Sequence, residues 1–314
     1  MNKISIIIPV YYNENTLEEL YNDLKTKLFS NGKFEYEIIM VDDGSGDNSW
    51  CVMSKIAISD PCLKIIKLSR NFGSHAAILC GLLHSSGDCA VVKAADLQEP
   101  TELIFDMYES WKQGNNVVLA ARKSREDKSI FSNLYYRIVK KAVLPSMPKN
   151  GFDVYLVDKK VIKVLEIMDE KDSALTCQIL WSGFKTGIVY YDRKERKKGK
   201  SRWTIKKKMR LVFDTLFSFS SLPITIITWV GMLSCIGSVG WAIYVLIAKI
   251  IGTIQTAGYA TLFIFELLSF GIIMMTLGIL GNYLWRSFDA SRGRPVYIIE
   301  DEFHLSENRE NDNK

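Results

Sequence analysis

The sequence predicts an α/β fold built on a mainly parallel sheet and followed by two membrane helices. Three observations predict it. Short apolar runs alternate with helical stretches up to about Ala121, a dense basic run occupies residues 193–210, and two long uncharged apolar stretches follow. Strands that alternate with helices and are apolar along their length are covered on both faces, as in parallel sheets.

Taken in order, strands are expected at 4–9, 37–42, 63–68, 89–95 and 116–121, each apolar and short. Helices are expected between them at 16–29, 48–58, 75–84 and 101–113, the last opened by Pro100. The opening MNKISIIIPV is interrupted too soon for a signal peptide and reads as the first strand. Residues 129–192 are less regular, and the polar tail after Ser306 reads as disordered.

From Thr215 to Ala248 no residue is charged, and 267–285 is a second uncharged run. Each is long enough to cross a bilayer, which takes roughly 20 apolar residues. Lys206, Lys207, Lys208 and Arg210 precede the first run, and Arg286, Arg292 and Arg294 follow the second. The positive-inside rule therefore puts both ends in the cytoplasm. Between the globular part and the first span, basic residues mixed with Leu211, Phe213, Leu216 and Phe217 suit a helix lying on anionic headgroups. The expected organisation is a globular domain over 1–198, a basic juxtamembrane segment over 199–221, a transmembrane hairpin over 222–286 and a cytoplasmic tail over 287–314.

Forty Lys and Arg against 35 Asp and Glu leave a net charge of +5, concentrated in that basic run. The excess serves membrane and phosphate rather than nucleic acid, and no nucleic-acid partner is expected. The six cysteines are scattered without a Cys-x-x-Cys pair, and Cys80 with His84 alone makes a poor zinc site. Reduced thiols are expected, with neither zinc nor a disulfide framework.

The stretch VVKAADLQEP, residues 91–100, ends a buried strand in a carboxylate. A strand ending this way presents Asp96 at the carboxyl edge of the sheet, where open α/β folds bind ligands. One carboxylate there can hold a divalent cation whose remaining positions go to phosphate oxygens and water. The competing reading is a helix cap. The first strand ends in Pro9-Val10-Tyr11-Tyr12-Asn13-Glu14 and the second in Asp42-Asp43-Gly44-Ser45. Carboxylates and aromatic faces at neighbouring strand ends suit a nucleoside, although Asp-Gly-Ser is also common turn chemistry. Asp42 beside Asp43 is a costly like-charge pair unless something binds it. Lys67 and Arg70 before Gly73 form either a phosphate loop or a solvated basic loop.

The strings SIIIPVYYNEN, IIMVDDGSGDNS, LSRNFGSHAAILCGL, GDCAVVKAADLQEPTE, Gly151-Phe152-Asp153 and RKERKKGKSRW, in that order and followed by two spans, resemble the polyprenyl-phosphate glycosyltransferases. These are inverting family 2 enzymes of the GT-A fold, such as bactoprenol glucosyltransferases and dolichol-phosphate mannose synthases. The resemblance implies transfer of a hexose onto a polyprenyl phosphate at the bacterial plasma membrane, with UDP-glucose expected as donor and UDP-N-acetylglucosamine or another sugar donor as the alternative. It implies Mg²⁺ or Mn²⁺ as cofactor, membrane lipids as surroundings and a homo-oligomer.

Carried over by position, Pro9, Tyr11, Glu14 and Asp42 match nucleotide-binding residues, with Asp43 beside them, and Asp96 and Gln98 match the metal and diphosphate positions. Asp153 matches the catalytic carboxylate, and Arg122 and Arg125 match basic positions near it. Arg193, Arg196, Lys200 and Ser201 match the juxtamembrane phosphate-binding segment. Two departures stand out. Ala94 replaces the first carboxylate of the usual Asp-Ala-Asp, and the Tyr11-Tyr12 pair leaves the register of Asn13 and Glu14 open by one.

Other readings fit less of the chain. A processive glycan synthase carries a Gln-x-x-Arg-Trp string where this chain has Gln178-Ile179-Leu180-Trp181. A dinucleotide dehydrogenase needs a glycine-rich turn after its first strand, which is absent here. A non-catalytic scaffold that binds nucleotide sugar remains open because of Ala94.

Overall fold

The computed structural model describes residues 1–28, 32–123, 148, 152, 154–168, 174–193, 222–251 and 258–305. Strand β1 (Lys3–Val10) leads into α1 (Leu17–Lys27), β2 (Glu35–Asp42), α2 (Ser49–Ser59) and β3 (Leu63–Leu68). Then come α3 (Ser74–Leu83), β4 (Cys89–Val92), α4 (Leu103–Lys112) and β5 (Val117–Arg122). Further along lie β6 (Val154–Asp158), α5 (Lys159–Ile167), α6 (Leu175–Trp181) and β7 (Thr186–Tyr191). Two long helices, α7 (Leu222–Ile250) and α8 (Tyr259–Ser291), precede a last strand, β8 (Ile299–His304).

The chain divides into two compact units. One comprises Met1–Val212 and Pro295–Lys314, the other Phe213–Arg294. In the first, eight strands form one sheet in the order β7-β5-β6-β4-β1-β2-β3-β8. Strands β1 to β4 run parallel, as does β5 with β7, while β6 and β8 are antiparallel to their neighbours. Because β6 reverses between β4 and β5, the carboxyl ends of β1 to β5 and of β7 all emerge at one edge. The amino end of β6 emerges there too.

Strands β1, β4 and β5 are buried on both faces, which is why they are apolar with little alternation. On one face Ile4, Ile6, Ile8 and Val10 meet Leu17, Leu20 and Leu24 of α1 and Leu103, Ile104 and Met107 of α4. The spacing of the apolar residues in α1 is one helical stripe, and its charges suit the helix dipole, with Glu18 and Glu19 first and Lys25 and Lys27 last. On the other face α3 crosses β1 so closely that a Cβ on Gly81 would collide with the Ile7 side chain. Glycine is what permits that approach.

The expected parallel α/β core is borne out, and its five strands lie where the apolar runs put them. The differences are physical. Strand β4 ends at Val92 instead of running to Ala95, because after the bond from Lys93 N to Ile7 O (2.9 Å) the chain turns away from β1. Helix α4 starts at Leu103, after turns over Pro100–Glu102. The stretch read as irregular contains β6 and β7. Strand β8 falls in what was expected to be a tail; it pairs with β3 and carries Glu300 and Glu302 to Lys67 (3.0 Å) and Lys64 (3.5 Å). That pairing removes Lys67 from the basic loop proposed to hold phosphate, and Arg70 lies over the Phe72 ring (4.3 Å). The juxtamembrane segment 199–221 lies outside the described residues.

In the second unit, α7 and α8 are long and apolar enough to cross a bilayer, with windows at Ile224–Trp241 and Leu268–Ser291. Their apolar side chains, among them Trp229, Leu233, Phe270 and Leu284, are exposed.

The amino edge of the sheet is closed by Glu37. Its carboxylate accepts from Ser5 Oγ (2.5 Å), Ser86 N and Oγ (both 2.6 Å) and pairs with Lys3 Nζ (2.8 Å). Burial opposes ionisation, but these partners outweigh it and hold the carboxyl below the usual glutamate range. The Glu37→Gln variant is expected to lose about 1–3 kcal/mol, measured by thermal unfolding in detergent. The contribution of Glu37 is complete above its unfolded pKa of about 4.3 and lost as pH falls through the lower folded value, so the variant should narrow its gap to wild type in acid.

Candidate active site

The strand order reverses between β1 and β4: β2 and β3 build outward on one side of β1, β4 on the other. Such a switch point opens a crevice at the carboxyl edge. Here it is opened further by the early end of β4. In β1 the N–H groups of Ile7 and residue 9 point toward β4, and a proline at 9 gives up no ladder bond because β4 has already left. Pro9 is therefore a wall of the crevice, paired with Val41 on its other neighbour.

At the β2 end, Asp42 is fully buried. Its Oδ1 accepts from Ser45 N (3.1 Å), while Oδ2 is buried with no hydrogen bond among the described residues. Burial pushes its carboxyl above the ordinary range. An acceptor left without a donor in the interior costs about 1–3 kcal/mol, so it marks a place where a ligand donor fits. Asp43 is different. It accepts from Asn71 Nδ2 (2.9 Å), Phe72 N (2.7 Å) and Gly73 N (3.0 Å), tying the loop after β3 to the end of β2. Burial pushes its carboxyl up to about 6 against the pull of those amides. Gly44, at φ 68, lets this loop approach; a Cβ there would lie 2.7 Å from Asn71 N. Asp43 thus has a structural role that the nucleotide-binding expectation did not include.

Hydrogen bonds fix the loop that carries Tyr11 and Tyr12. Asn13 Oδ1 accepts from Tyr11 N (3.0 Å), and Tyr12 N donates to Ser45 Oγ (2.9 Å). Glu14 Oε2 accepts from Asn48 N (2.9 Å) at the start of α2. Glu14 therefore fastens the loop to that helix, while Tyr11 and Tyr12 stand edge to face (4.8 Å) beside Asp42 in the loop network. Tyr12 has φ 56, a left-handed conformation costly for a bulky residue and held here by its neighbours.

The second residue of that kind is Leu97, φ 60. The kink it makes brings Asp96, Gln98 and Glu99 to one cation. Arg193, two residues after β7, places Nη2 2.5 Å from Gln98 Oε1, 3.9 Å from Asp96 Oδ2 and 4.0 Å from Glu99 Oε1. Asp96 is not the cap of α4, whose cap is Glu102; its Oδ1 accepts from Gln98 N (3.2 Å) in a local turn. Beneath the loop, buried Lys93 donates Nζ to Glu99 O (2.7 Å). The carboxylate of Asp23, which accepts from Thr101 Oγ1 (2.5 Å), lies in the field of that ammonium. Sequence reasoning missed Lys93 and the share of Glu99; the signal was a lysine inside an otherwise apolar strand end.

These oxygens are the hard donors that Mg²⁺ and Mn²⁺ take. Among the described residues no group of three or more His, Cys, Asp or Glu could hold a metal, so a metal at Asp96 needs oxygens from a ligand. The residues fit one that arrives with phosphates. Arg122 ends β5 level with Tyr191 of β7, which puts it at the same edge as Arg193. Asp153, Arg125, Arg196, Lys200 and Ser201 lie outside the described residues, although Val154, which opens β6, pairs with Ala120 at this edge.

The chain matches the family model described as Glycosyl transferase family 2 over residues 5–222. It is 33% identical over 309 residues to the uncharacterised glycosyltransferase YkcC of Bacillus subtilis, covering 97% of this chain and 95% of the relative. It is 30% identical over 305 residues to the bactoprenol glucosyl transferase of Shigella phage SfV, covering 96% and 99%. The fold is like that of glucosyl-3-phosphoglycerate synthase from Mycobacterium tuberculosis, solved with Mn²⁺, UDP and phosphoglyceric acid. That likeness has a TM-score of 0.50 at 14% identity, over 69% of this chain and 76% of that one. The chain is a glycosyltransferase and belongs to glycosyl transferase family 2.

Proposed function

We propose that this enzyme moves glucose from UDP-glucose onto a polyprenyl phosphate, with inversion at the anomeric carbon, at the cytoplasmic face of a bacterial plasma membrane. The observation that carries the reading is the crevice between β1 and β4, with the unsatisfied oxygen of Asp42 on one side and the oxygens of Asp96, Gln98 and Glu99 on the other. A uracil N–H suits the first and a diphosphate with its metal suits the second. The lipid acceptor and the glucose rest on the bactoprenol glucosyl transferases among the relatives.

The acceptor is a phosphate monoester whose second pKa is about 6, so at neutral pH it is mostly a dianion and already nucleophilic. One of its oxygens attacks the anomeric carbon as the bond to the diphosphate breaks, and UDP leaves with the electron pair. Asp153 orients the acceptor or the sugar and takes the residual proton when the monoanion binds. The larger obstacle is two anions in one crevice. Arg122, Arg193 and the basic residues after it offset that repulsion. Asp96 and Gln98 would hold a divalent metal, which would neutralise charge on the leaving diphosphate.

Helices α7 and α8 hold this site at a membrane. That Met1–Val212 and Pro295–Lys314 belong to one unit supports two crossings, with both flanks of the hairpin on one side. The arginines Arg286, Arg292 and Arg294 mark that side as cytoplasmic.

Incubating membranes that carry the enzyme with labelled UDP-glucose and undecaprenyl phosphate should put label into the lipid extract. A panel including UDP-N-acetylglucosamine identifies the sugar, and an unlabelled extract with every donor refutes transfer. Asp96→Asn should abolish transfer in that assay, and chelator should do the same to wild type. Asp42→Ala should raise KM for the donor about tenfold or more with little change in kcat, the pattern of lost ground-state binding.

A further inference from the structure

Three oxygens from Asp96, Gln98 and Glu99 gather around one guanidinium nitrogen, at 3.9, 2.5 and 4.0 Å. Two of them are carboxylate oxygens on side chains that are themselves largely buried, and Glu99 is the deeper, with 2% of its side chain exposed. Two carboxylates close together at this depth are costly, and the arginine offsets part of that cost in the donor-free site. The same three oxygens are also hard donors of the kind a divalent cation takes. Arg193 and a divalent ion cannot share them, since the two positive charges would lie within a few ångströms of each other in a low-dielectric crevice.

We propose that Arg193 is a resident counter-cation of the Asp96–Glu99 loop which the metal–diphosphate of the donor displaces, so that the empty enzyme takes up little divalent metal and the released arginine turns to the acceptor phosphate. The proposal rests on the donor reading given above and adds an order of events to it. Metal enters with the nucleotide, and the acceptor meets a free arginine only once the donor is in place. Two further features hold the loop ready for the exchange. The left-handed kink at Leu97 keeps the side chains of Asp96 and Gln98 on the cation, and Lys93 secures the Glu99 carbonyl from below (2.7 Å), so displacement of the guanidinium leaves the oxygens in place. Coupling of this kind is reciprocal: whatever Arg193 takes from metal affinity in the empty enzyme, the nucleotide returns.

The test uses the full chain in detergent and Mn²⁺ as probe, with free ion read by electron paramagnetic resonance, alone and with UDP. Wild type is expected to bind Mn²⁺ weakly without UDP and at least about tenfold more tightly with it. Arg193→Gln is expected to bind Mn²⁺ without UDP at least about tenfold more tightly than wild type, because a positive charge beside two carboxylates is removed. Arg193→Lys keeps the charge and is expected to return the affinity toward the wild-type value, which a merely structural role for the side chain does not require. Equal Mn²⁺ affinity of wild type and Arg193→Gln in the absence of nucleotide overturns the proposal. If UDP tightens Mn²⁺ in neither protein, the donor reading falls, while the comparison of the two proteins without nucleotide still decides the role of Arg193.

Discussion

The bond from Lys93 N to Ile7 O is the last along the seam between β1 and β4, and the crevice of the candidate site opens where the seam ends. Three residues further and β4 would have sealed the space that Pro9 now walls on one side and the Asp96 loop on the other. A sheet interior tolerates such a gap only if the freed backbone is otherwise provided for. Proline at position 9 has no N–H to satisfy, and the buried ammonium of Lys93 takes a carbonyl of the departing loop. The opening is therefore built by the same residues that keep it from being a defect.

The two edges of the sheet make a contrast. At the amino edge Glu37 is saturated by Lys3, Ser5 and Ser86, and burial and hydrogen bonding there serve stability. At the carboxyl edge an oxygen of Asp42 is left over, two non-glycine residues sit at positive φ, and carboxylates crowd one arginine. Strain and unsatisfied polarity are concentrated at the edge where open α/β folds bind ligands, while the opposite edge is saturated.

Much of this was legible in the residues. Apolar runs alternating with helical stretches identify the parallel core because strands buried on both faces need no polar positions. Asp42 and Asp96 stand out because each ends such a run. What was hidden is of a different nature. Strand β8, IEDEFH, is charged on an exposed edge and has no apolar pattern to announce it; its pairing with β3 is a long-range event. The roles of Asp43 and Glu14 were obscured because a carboxylate that receives loop amides and one that receives a ligand have the same letters. Only the partners, Phe72 and Gly73 for one and Asn48 for the other, tell them apart. Lys93 was visible as an anomaly, but its purpose depends on how far β4 runs, which local pattern does not fix.

Strand β8 carries a consequence for how the molecule is made. The edge of β3 receives its partner only after both long helices have been synthesised, so the nascent domain waits with a row of bare amides and carbonyls exposed. Such a row is a template for pairing with any extended chain nearby. Cutting the protein before its first long helix, the natural way to obtain a water-soluble fragment, leaves that row open for good and removes the glutamates that neutralise Lys64 and Lys67. Strand β8 thus covers an edge that would otherwise be open to other chains.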